Sequence, residues 1–155
     1  DKMLSIVEEN GGEPGDVEIE ITESAKEIEH DRLIDFVTIL KQKGFHVAID
    51  DFGTGYSSLS LIHNISADVI KIDKSFVDAL LEDKKSEILI ESIINIAHRL
   101  HMEIIAEGVE TKEQGELLVK LGCSNAQGYF YSKPADYAAT TAIIEHPAFL
   151  PVAKA

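Results

Sequence analysis

The feature that most constrains the fold is an alternation of short β-rich runs with longer amphipathic stretches along the chain. The short, mostly apolar runs that we predict to be strands are Val17–Ile21, His46–Asp50, Asp68–Asp73, Glu103–Glu107 and Ala126–Tyr131. The stretches with helical character are Lys2–Glu9, Asp31–Lys43, Lys84–His101, Thr111–Leu121 and Tyr137–Glu145. Strands that alternate with helices form parallel βαβ units, so the sequence predicts an α/β fold.

Two α/β architectures fit this alternation, an open doubly wound sheet and a (β/α)₈ TIM-type barrel. An open sheet that binds a nucleotide usually carries glycines in its first strand-to-helix turn, whereas that turn here reads Thr22-Glu23-Ser24-Ala25. A barrel instead places its functional groups at the carboxyl ends of many strands. Acidic residues follow that distribution in this chain, which favours the barrel.

Charge and cysteine content exclude several classes of protein. The 155 residues contain 14 Lys and Arg against 28 Asp and Glu, which gives a net charge of −14 and argues against a protein that wraps nucleic acid. The single cysteine, Cys123, excludes an internal disulfide framework and is expected to be a small buried residue. With no apolar run long enough to span a bilayer, we expect a cytoplasmic location. Because the sequence begins with Asp1, we expect a piece of a longer protein.

Polar side chains lie at or near the end of every predicted strand. They are Glu20, Asp50 with Asp51, Lys71 with Asp73, Glu107, and Gln127. In a barrel these ends meet at one mouth, where converging carboxylates repel one another unless cations lie among them. Oxygen ligands of this kind suit Mg²⁺ or Mn²⁺. The neighbours Asp50 and Asp51 could hold two ions, an arrangement common in phosphoester cleavage, and Lys71 could orient a water or bind a phosphate oxygen.

A short glycine-containing segment follows the acid pair and reads Asp51-Phe52-Gly53-Thr54-Gly55-Tyr56-Ser57-Ser58. Its glycines allow backbone conformations that other residues resist, so we expect a loop that closes over the site. The segment lacks the Gly-Lys-Ser/Thr ending of a phosphate-binding P-loop.

Five motifs together resemble those of the EAL domain, in the family's order and over about residues 20–134. They read Glu20-Ile21-Thr22-Glu23-Ser24, Asp50-Asp51-Phe52-Gly53-Thr54-Gly55-Tyr56-Ser57-Ser58-Leu59, Lys71-Ile72-Asp73, Ala106-Glu107-Gly108-Val109-Glu110-Thr111 and Gln127-Gly128-Tyr129-Phe130. The resemblance implies a (β/α)₈ barrel that hydrolyses the bacterial second messenger cyclic di-GMP to linear pGpG. It also implies two Mg²⁺ or Mn²⁺ ions as cofactors.

The resemblance also implies a role for each matching residue. The implied metal ligands are Glu20, Asp50, Asp51, Asp73 and Glu107, with Asp50 shared between the ions. Lys71 and Asp73 match the pair that positions the attacking water, and Glu107 matches the glutamate that serves the second metal and that water. The implied substrate and loop residues are Glu23, Phe52, Gly53, Thr54, Gly55, Glu110 and Gln127.

Two parts of the family pattern are missing from the chain. The Glu-Ala-Leu strand and a strand with a metal-binding asparagine are both absent, and five predicted strands cannot close a barrel of eight. We therefore expect residues 1–146 to be a partial EAL domain, residues 147–155 to be a tail, and hydrolysis by the 155 residues alone to be weak or absent. By resemblance the chain also forms a homodimer through Ser57–His63 within a multidomain signalling protein.

Two other functions stay open at this point. Some EAL-like domains have lost metal ligands and act as cyclic di-GMP receptors or protein-interaction modules, although such a receptor has no need to keep Asp50, Asp51, Lys71 and Glu107 together. An enolase-like barrel enzyme also uses acids at strand ends, but the Asp-Asp-Phe-Gly-Thr-Gly segment argues against it.

Overall fold

The computed structural model describes residues 2–22, 30–53 and 58–145. Its strands are β1 (Glu18–Thr22), β2 (His46–Phe52), β3 (Val69–Ile72), β4 (Glu103–Ala106) and β5 (Asn125–Ala126). Its α-helices are α1 (Lys2–Glu9), α2 (His30–Gln42), α3 (Ser58–Asn64), α4 (Lys74–Asp78), α5 (Lys84–Arg99), α6 (Lys112–Leu121) and α7 (Tyr137–Glu145), with one 3₁₀ turn at Pro14–Asp16.

The five strands form one parallel sheet in the order β1-β2-β3-β4-β5. Each strand therefore pairs with the next one along the chain, and the order never reverses as it does in a doubly wound sheet. Because parallel crossovers are almost always right-handed, this order places the connecting helices on one face of the sheet. The predicted α/β class is confirmed, and the doubly wound alternative is excluded.

The two faces of the sheet differ in chemistry because side chains alternate along each strand. One face is apolar and at most 5% exposed; its residues are Ile21, Val47, Ile49, Ile70, Ile72, Ile104 and Ala106. The helices cover that face with buried residues such as Leu33, Val37, Leu40, Ile90, Ile94 and Leu118. By the strand register, Glu20, Ala48 and Lys71 lie on the opposite face. Burial of the apolar face stabilises the fold. The polar side chains Glu20 and Lys71 therefore lie together on the opposite face.

Helix α6 begins and ends as its sequence predicts. The side chain of Thr111 accepts a hydrogen bond from the Gln114 N–H, and the Gln114 side chain accepts one from the Thr111 N–H, which completes a capping box. Gly122 closes the helix at a φ of 99°, in the left-handed region that glycine favours. Cys123 follows at 1% exposure, which confirms that it is a buried residue.

Three predicted strands extended too far, and the smallest error is in β4, which ends at Ala106 instead of Glu107. β3 ends at Ile72, because Asp73 caps the short helix α4 through the Ser75 N–H. β5 contains Asn125–Ala126 alone, whereas Ala126–Tyr131 was predicted. Beyond it the Tyr131 N–H donates to the Gly128 carbonyl at 3.0 Å, so the backbone turns instead of continuing as a strand.

Helices α3 and α4 were not predicted from the apolar pattern. They have 7 and 5 residues, too few turns for a helical period to stand out. None of the helices in the described parts of the chain is long and apolar enough to cross a membrane.

Candidate active site

The ammonium group of Lys71 is the centre of the polar face of the sheet. Its Nζ lies 2.7 Å from Glu107 Oε1 and 3.4 Å from Asp50 Oδ1, and it also donates a hydrogen bond to Glu20 Oε1. These three acids come from the ends of β1 and β2 and from the residue after β4. The structure therefore brings together Glu20, Asp50, Lys71 and Glu107, as their positions at the strand ends predicted.

Lys71 is buried and yet remains charged. Its side chain is 7% exposed, and that burial by itself lowers the pKa of an ammonium group. Hydrogen bonds to Glu107 and Glu20, together with the negative charges of Glu107 and Asp50, outweigh burial and raise the pKa above its usual value. Lys71 therefore stays protonated at physiological pH, and its N–H groups act as hydrogen-bond donors.

An irregularity in β2 places two acids beside Lys71. Ile49 pairs with Ile70 and Phe52 pairs with Ile72, so Asp50 and Asp51 together face the single residue Lys71 across the ladder. The backbone φ of Asp51 is +52°, in the left-handed region that Asp tolerates better than most residues. Such a bulge redirects side chains that would otherwise alternate between faces.

The electrostatics of Asp51 reflect this crowding. Its pKa is raised, first by desolvation and then by the negative charges of Asp50 and Asp73, while Lys71 acts in the opposite direction. The end of β2 is therefore a region of concentrated negative charge that favours a cation.

The residues present fit a divalent metal in their donor chemistry. Asp50 Oδ1 is buried and accepts no hydrogen bond from any residue that the structure describes. A buried carboxylate oxygen that accepts no hydrogen bond is costly; the Lys71 ammonium 3.4 Å away offsets part of that cost, and a bound metal ion would give this oxygen a direct contact. Within residues 2–22, 30–53 and 58–145, however, no three His, Cys, Asp or Glu side chains gather closely enough to form a metal cage by themselves. The acids are held around Lys71 instead, and their predicted role as metal ligands stays a prediction.

Glu107 is held from both sides. Its backbone N–H donates to the Ile72 carbonyl at 3.1 Å, which continues the β3–β4 ladder one residue beyond the strand. Its side-chain Oε1 accepts from Lys71 Nζ and, at 2.6 Å, from Gln127 Nε2. Gln127 thus lies at the site, as predicted, and its carboxamide fixes the orientation of the Glu107 carboxylate.

Asp73 differs from the expected arrangement with Lys71 on one strand face. As the N-cap of α4, its Oδ1 accepts hydrogen bonds from the N–H and the hydroxyl of Ser75. The carboxylate of Asp73 still contributes negative charge at Asp51. Its predicted roles as a metal ligand and in positioning water stay predictions.

A cleft of about 600 Å³ adjoins Glu107 and Gln127. Lys74 lines it and lies 2.6 Å from Glu110 Oε1 and 2.9 Å from Asp78 Oδ1. The predicted site residue Glu110 is therefore an ion-pair partner at the cleft wall. Lys74 was not predicted as a site residue, although its place directly after the Lys71-Ile72-Asp73 motif was an available signal. The cleft itself leaves no local pattern in the sequence.

The predicted loop residues divide into two groups. Phe52 is 4% exposed and belongs to the hydrophobic core, because it is the last residue of β2 on the buried side. Gly53 has a φ of +103°, and a Cβ there would lie 2.8 Å from the Phe76 ring. Glu23, Thr54 and Gly55 lie outside the described residues.

The family model of the EAL domain matches residues 1–134. The chain is 47% identical over 117 residues to the oxygen sensor protein DosP of Escherichia coli K12, a match that covers 75% of the chain and 14% of DosP. It is 41% identical over 119 residues to the probable cyclic di-GMP phosphodiesterase PdeG of Escherichia coli K12, covering 77% of the chain and 24% of PdeG. The chain thus spans less than a quarter of the length of these relatives.

Solved structures of EAL domains and phosphodiesterases also superpose on the chain. The EAL domain of Mycobacterium smegmatis DcpA superposes with a TM-score of 0.90 at 36% identity, covering 96% of the chain and 66% of that domain. A complex of the MucR phosphodiesterase with c-di-GMP superposes with a TM-score of 0.80 at 34% identity. The match covers 86% of the chain and 54% of the MucR chain. A manganese and cyclic di-GMP complex of Klebsiella pneumoniae BlrP1 superposes with a TM-score of 0.82 at 31% identity. The match covers 86% of the chain and 34% of the BlrP1 chain.

A parallel sheet in sequential order, with a lysine among carboxylates at its carboxyl edge, is the arrangement of a (β/α)₈ barrel that carries its polar groups at the carboxyl ends of the strands. Together with these matches it places the chain in a family. The chain belongs to the EAL domain family, and its five strands are part of a (β/α)₈ barrel.

Proposed function

We propose that the chain is the C-terminal part of an EAL phosphodiesterase domain that hydrolyses cyclic di-GMP to linear pGpG. The observation that carries this proposal is the convergence of Glu20, Asp50 and Glu107 on the buried ammonium of Lys71. PdeG and MucR carry the name phosphodiesterase, and the MucR structure contains c-di-GMP. These relatives support the same substrate for this chain.

Two divalent cations, Mg²⁺ or Mn²⁺, would be held by Glu20, Asp50, Asp51, Asp73 and Glu107. When bound, such ions activate water and stabilise negative charge on the leaving oxygen. The BlrP1 complex contains manganese, which supports a divalent cation in this family. The buried oxygen of Asp50 is the donor in this chain that fits a cation best.

The residues of the chain position the reacting groups. Lys71, which stays protonated, donates hydrogen bonds that orient the attacking water or a phosphate oxygen. Gln127 holds the Glu107 carboxylate toward Lys71, so that Glu107 accepts a hydrogen bond from that water. The oxygen of water attacks phosphorus, one phosphoester P–O bond breaks, and the departing ribose oxygen takes up the proton that the attacking water loses.

Turnover by a protein that carries this segment within a complete barrel tests the proposal. We expect pGpG to form from cyclic di-GMP with Mg²⁺ or Mn²⁺, and EDTA to abolish its formation. Asp50→Ala is expected to lower kcat about 100-fold or more, because a metal-linked carboxylate contributes several kcal/mol to catalysis. Chromatographic separation of pGpG from cyclic di-GMP measures the rate.

The exposed helix residue Asp35 offers a matched control. Asp35→Ala removes the same carboxylate from an exposed position of α2 and is expected to leave kcat within twofold. Metal-independent binding of cyclic di-GMP without cleavage would favour the receptor function instead. Absence of both binding and turnover with either metal would overturn the proposal.

Further proposals concern the whole protein, its assembly and its location. DosP is an oxygen sensor protein and MucR is bifunctional, which supports a place for this segment in a multidomain signalling protein. The predicted dimer contact Ser57–His63 overlaps helix α3, whose Leu59 is 65% exposed. Cytoplasmic location and the domain boundary at residue 146 remain proposals from the sequence.

A further inference from the structure

The segment that carries Glu107 is fixed on both flanks by backbone hydrogen bonds. The Glu107 N–H donates to Ile72 O at 3.1 Å on the β3 side. On the β5 side, the Val109 N–H donates to Gln127 O and the Val109 carbonyl accepts from the Phe130 N–H, both at 3.0 Å. These hydrogen bonds hold the segment between Glu107 and α6 in place on both sides.

Gln114 provides a third attachment, from beneath the segment. Its Oε1 accepts from the N–H groups of Glu110 at 2.9 Å and Thr111 at 3.0 Å. Its Nε2 donates to the Val77 carbonyl at 3.1 Å, 37 residues away in sequence. Gln114 is 6% exposed; its bond to Val77 is buried and shielded from competing water, whereas its bonds to Glu110 and Thr111 are partly buried.

The bond to Val77 exceeds what a helix cap requires. A capping box uses the Oε1 of Gln114 and the hydroxyl of Thr111, and both requirements are met without Nε2. Val77 belongs to α4, the helix that Asp73 caps and that begins with Lys74. The carboxamide of Gln114 consequently joins the helix of Asp73 to the segment of Glu107.

We propose that Gln114 is a positioning residue for hydrolysis, which sets the place of Glu107 relative to Lys71 and Asp73. This inference rests on the proposed function. Glu107 Oε1 has to reach Lys71 Nζ and Gln127 Nε2 at the same time, at 2.7 and 2.6 Å. A shift of its segment away from α4 lengthens the first contact, and small displacements of reacting groups cost large factors in rate.

Gln114→Glu separates positioning from capping. The glutamate keeps an acceptor for the two N–H groups and remains favourable at the third position of a helix, so the cap stays intact. An ionised carboxylate cannot donate to Val77 O and repels it. In a protein that carries this segment within a complete barrel, we expect kcat for cyclic di-GMP to fall about 10- to 100-fold, with KM within threefold.

Thr111→Ala is the matched control, because it removes the other half of the capping box and leaves the Val77 bond in place. We expect its kcat to stay within twofold. Equal losses of kcat in the two variants, or no loss in Gln114→Glu, would overturn the proposal. If Gln114→Glu fails to fold, Gln114→Met takes its place; because it removes the Glu110 and Thr111 bonds as well as the Val77 bond, only a loss of kcat larger than that of Thr111→Ala supports the proposal.

Hydrogen exchange separates this inference from the proposed function. If the parent protein hydrolyses no cyclic di-GMP, the proposed function fails, and the exchange of backbone amides still tests Gln114. We expect the amide of Glu107, which is bonded to Ile72 O, to exchange at least 10-fold faster in Gln114→Glu than in Thr111→Ala. Unchanged protection of Glu107 in Gln114→Glu would show that Gln114 only caps α6.

Discussion

Replacing Gly128 by alanine is expected to lower the free energy of unfolding by about 3 kcal/mol or more. A Cβ at this position would lie 2.2 Å from the Val109 carbonyl oxygen and 2.3 Å from the Val109 nitrogen. Both are backbone atoms, and they form hydrogen bonds to Gln127 and Phe130. Neither can move without breaking those bonds. Urea denaturation of a protein that carries this segment within a complete barrel measures the effect.

Gly15→Ala is the matched control for this substitution. The nearest neighbour of a Cβ at Gly15 is 3.9 Å away, and the expected change in stability is within about 0.5 kcal/mol. Because Gly128 follows Gln127, the strained variant is also expected to release Gln127 from Glu107. Equal stabilities of Gly128→Ala and Gly15→Ala would contradict the close approach to Val109.

The second large effect is expected from Lys71→Met. This substitution leaves Glu20, Asp50 and Glu107 facing one another without the ammonium group between them. Removing one partner of a buried charge network costs about 3–5 kcal/mol, and the half-exposed Glu20 reduces this to about 2–4 kcal/mol here. The measurement is urea denaturation at pH 7 in EDTA, which keeps added metal from replacing the lost charge.

The direction of the pKa shift sets the pH range of this effect. The pKa of Lys71 is raised on folding, so its contribution is complete below the pKa of an unfolded lysine, about 10.4, and is lost as pH rises through the higher folded value. Lys112→Met removes a lysine from an exposed pair with Glu116, which solvent screens, and is expected to change the free energy of unfolding far less than Lys71→Met does. Similar losses in the two variants would contradict a stabilising role of Lys71.

The sequence predicted the sheet and the convergence of polar residues at its edge, because both follow from local patterns. Short β-rich runs of five or six residues marked β1 to β4, and polar residues at or near their ends marked the edge where those side chains meet. Convergence of Glu20, Asp50 and Glu107 on Lys71 followed from one rule, that carboxyl ends of parallel strands share an edge.

The errors arose where two local signals competed. Asp73 continued the apolar run Asp68–Asp73 in the expected alternation, but an aspartate two residues before a serine is also a helix N-cap, and the cap prevailed. Likewise Gly128 and the residues after it were predicted as strand, although glycine in a strand often marks a close backbone approach. The bond between Gln114 and Val77 could not be predicted, because it joins residues that only the folded sheet brings together.

Because the two faces of the sheet differ in chemistry, substitutions that affect the site and substitutions that affect folding fall at different positions along each strand. In β1, and in β2 as far as Asp50, the even-numbered positions such as Glu20 and Asp50 lie on the polar face and the odd-numbered ones lie in the core; the bulge at Asp50 and Asp51 then reverses this, so that Phe52 is buried. In β3 the assignment is reversed, since Lys71 faces the chemistry and Ile70 and Ile72 lie in the core. A relative can therefore lose catalysis through changes on one set of positions and keep the same fold through the other, which gives this scaffold a direct route from enzyme to receptor.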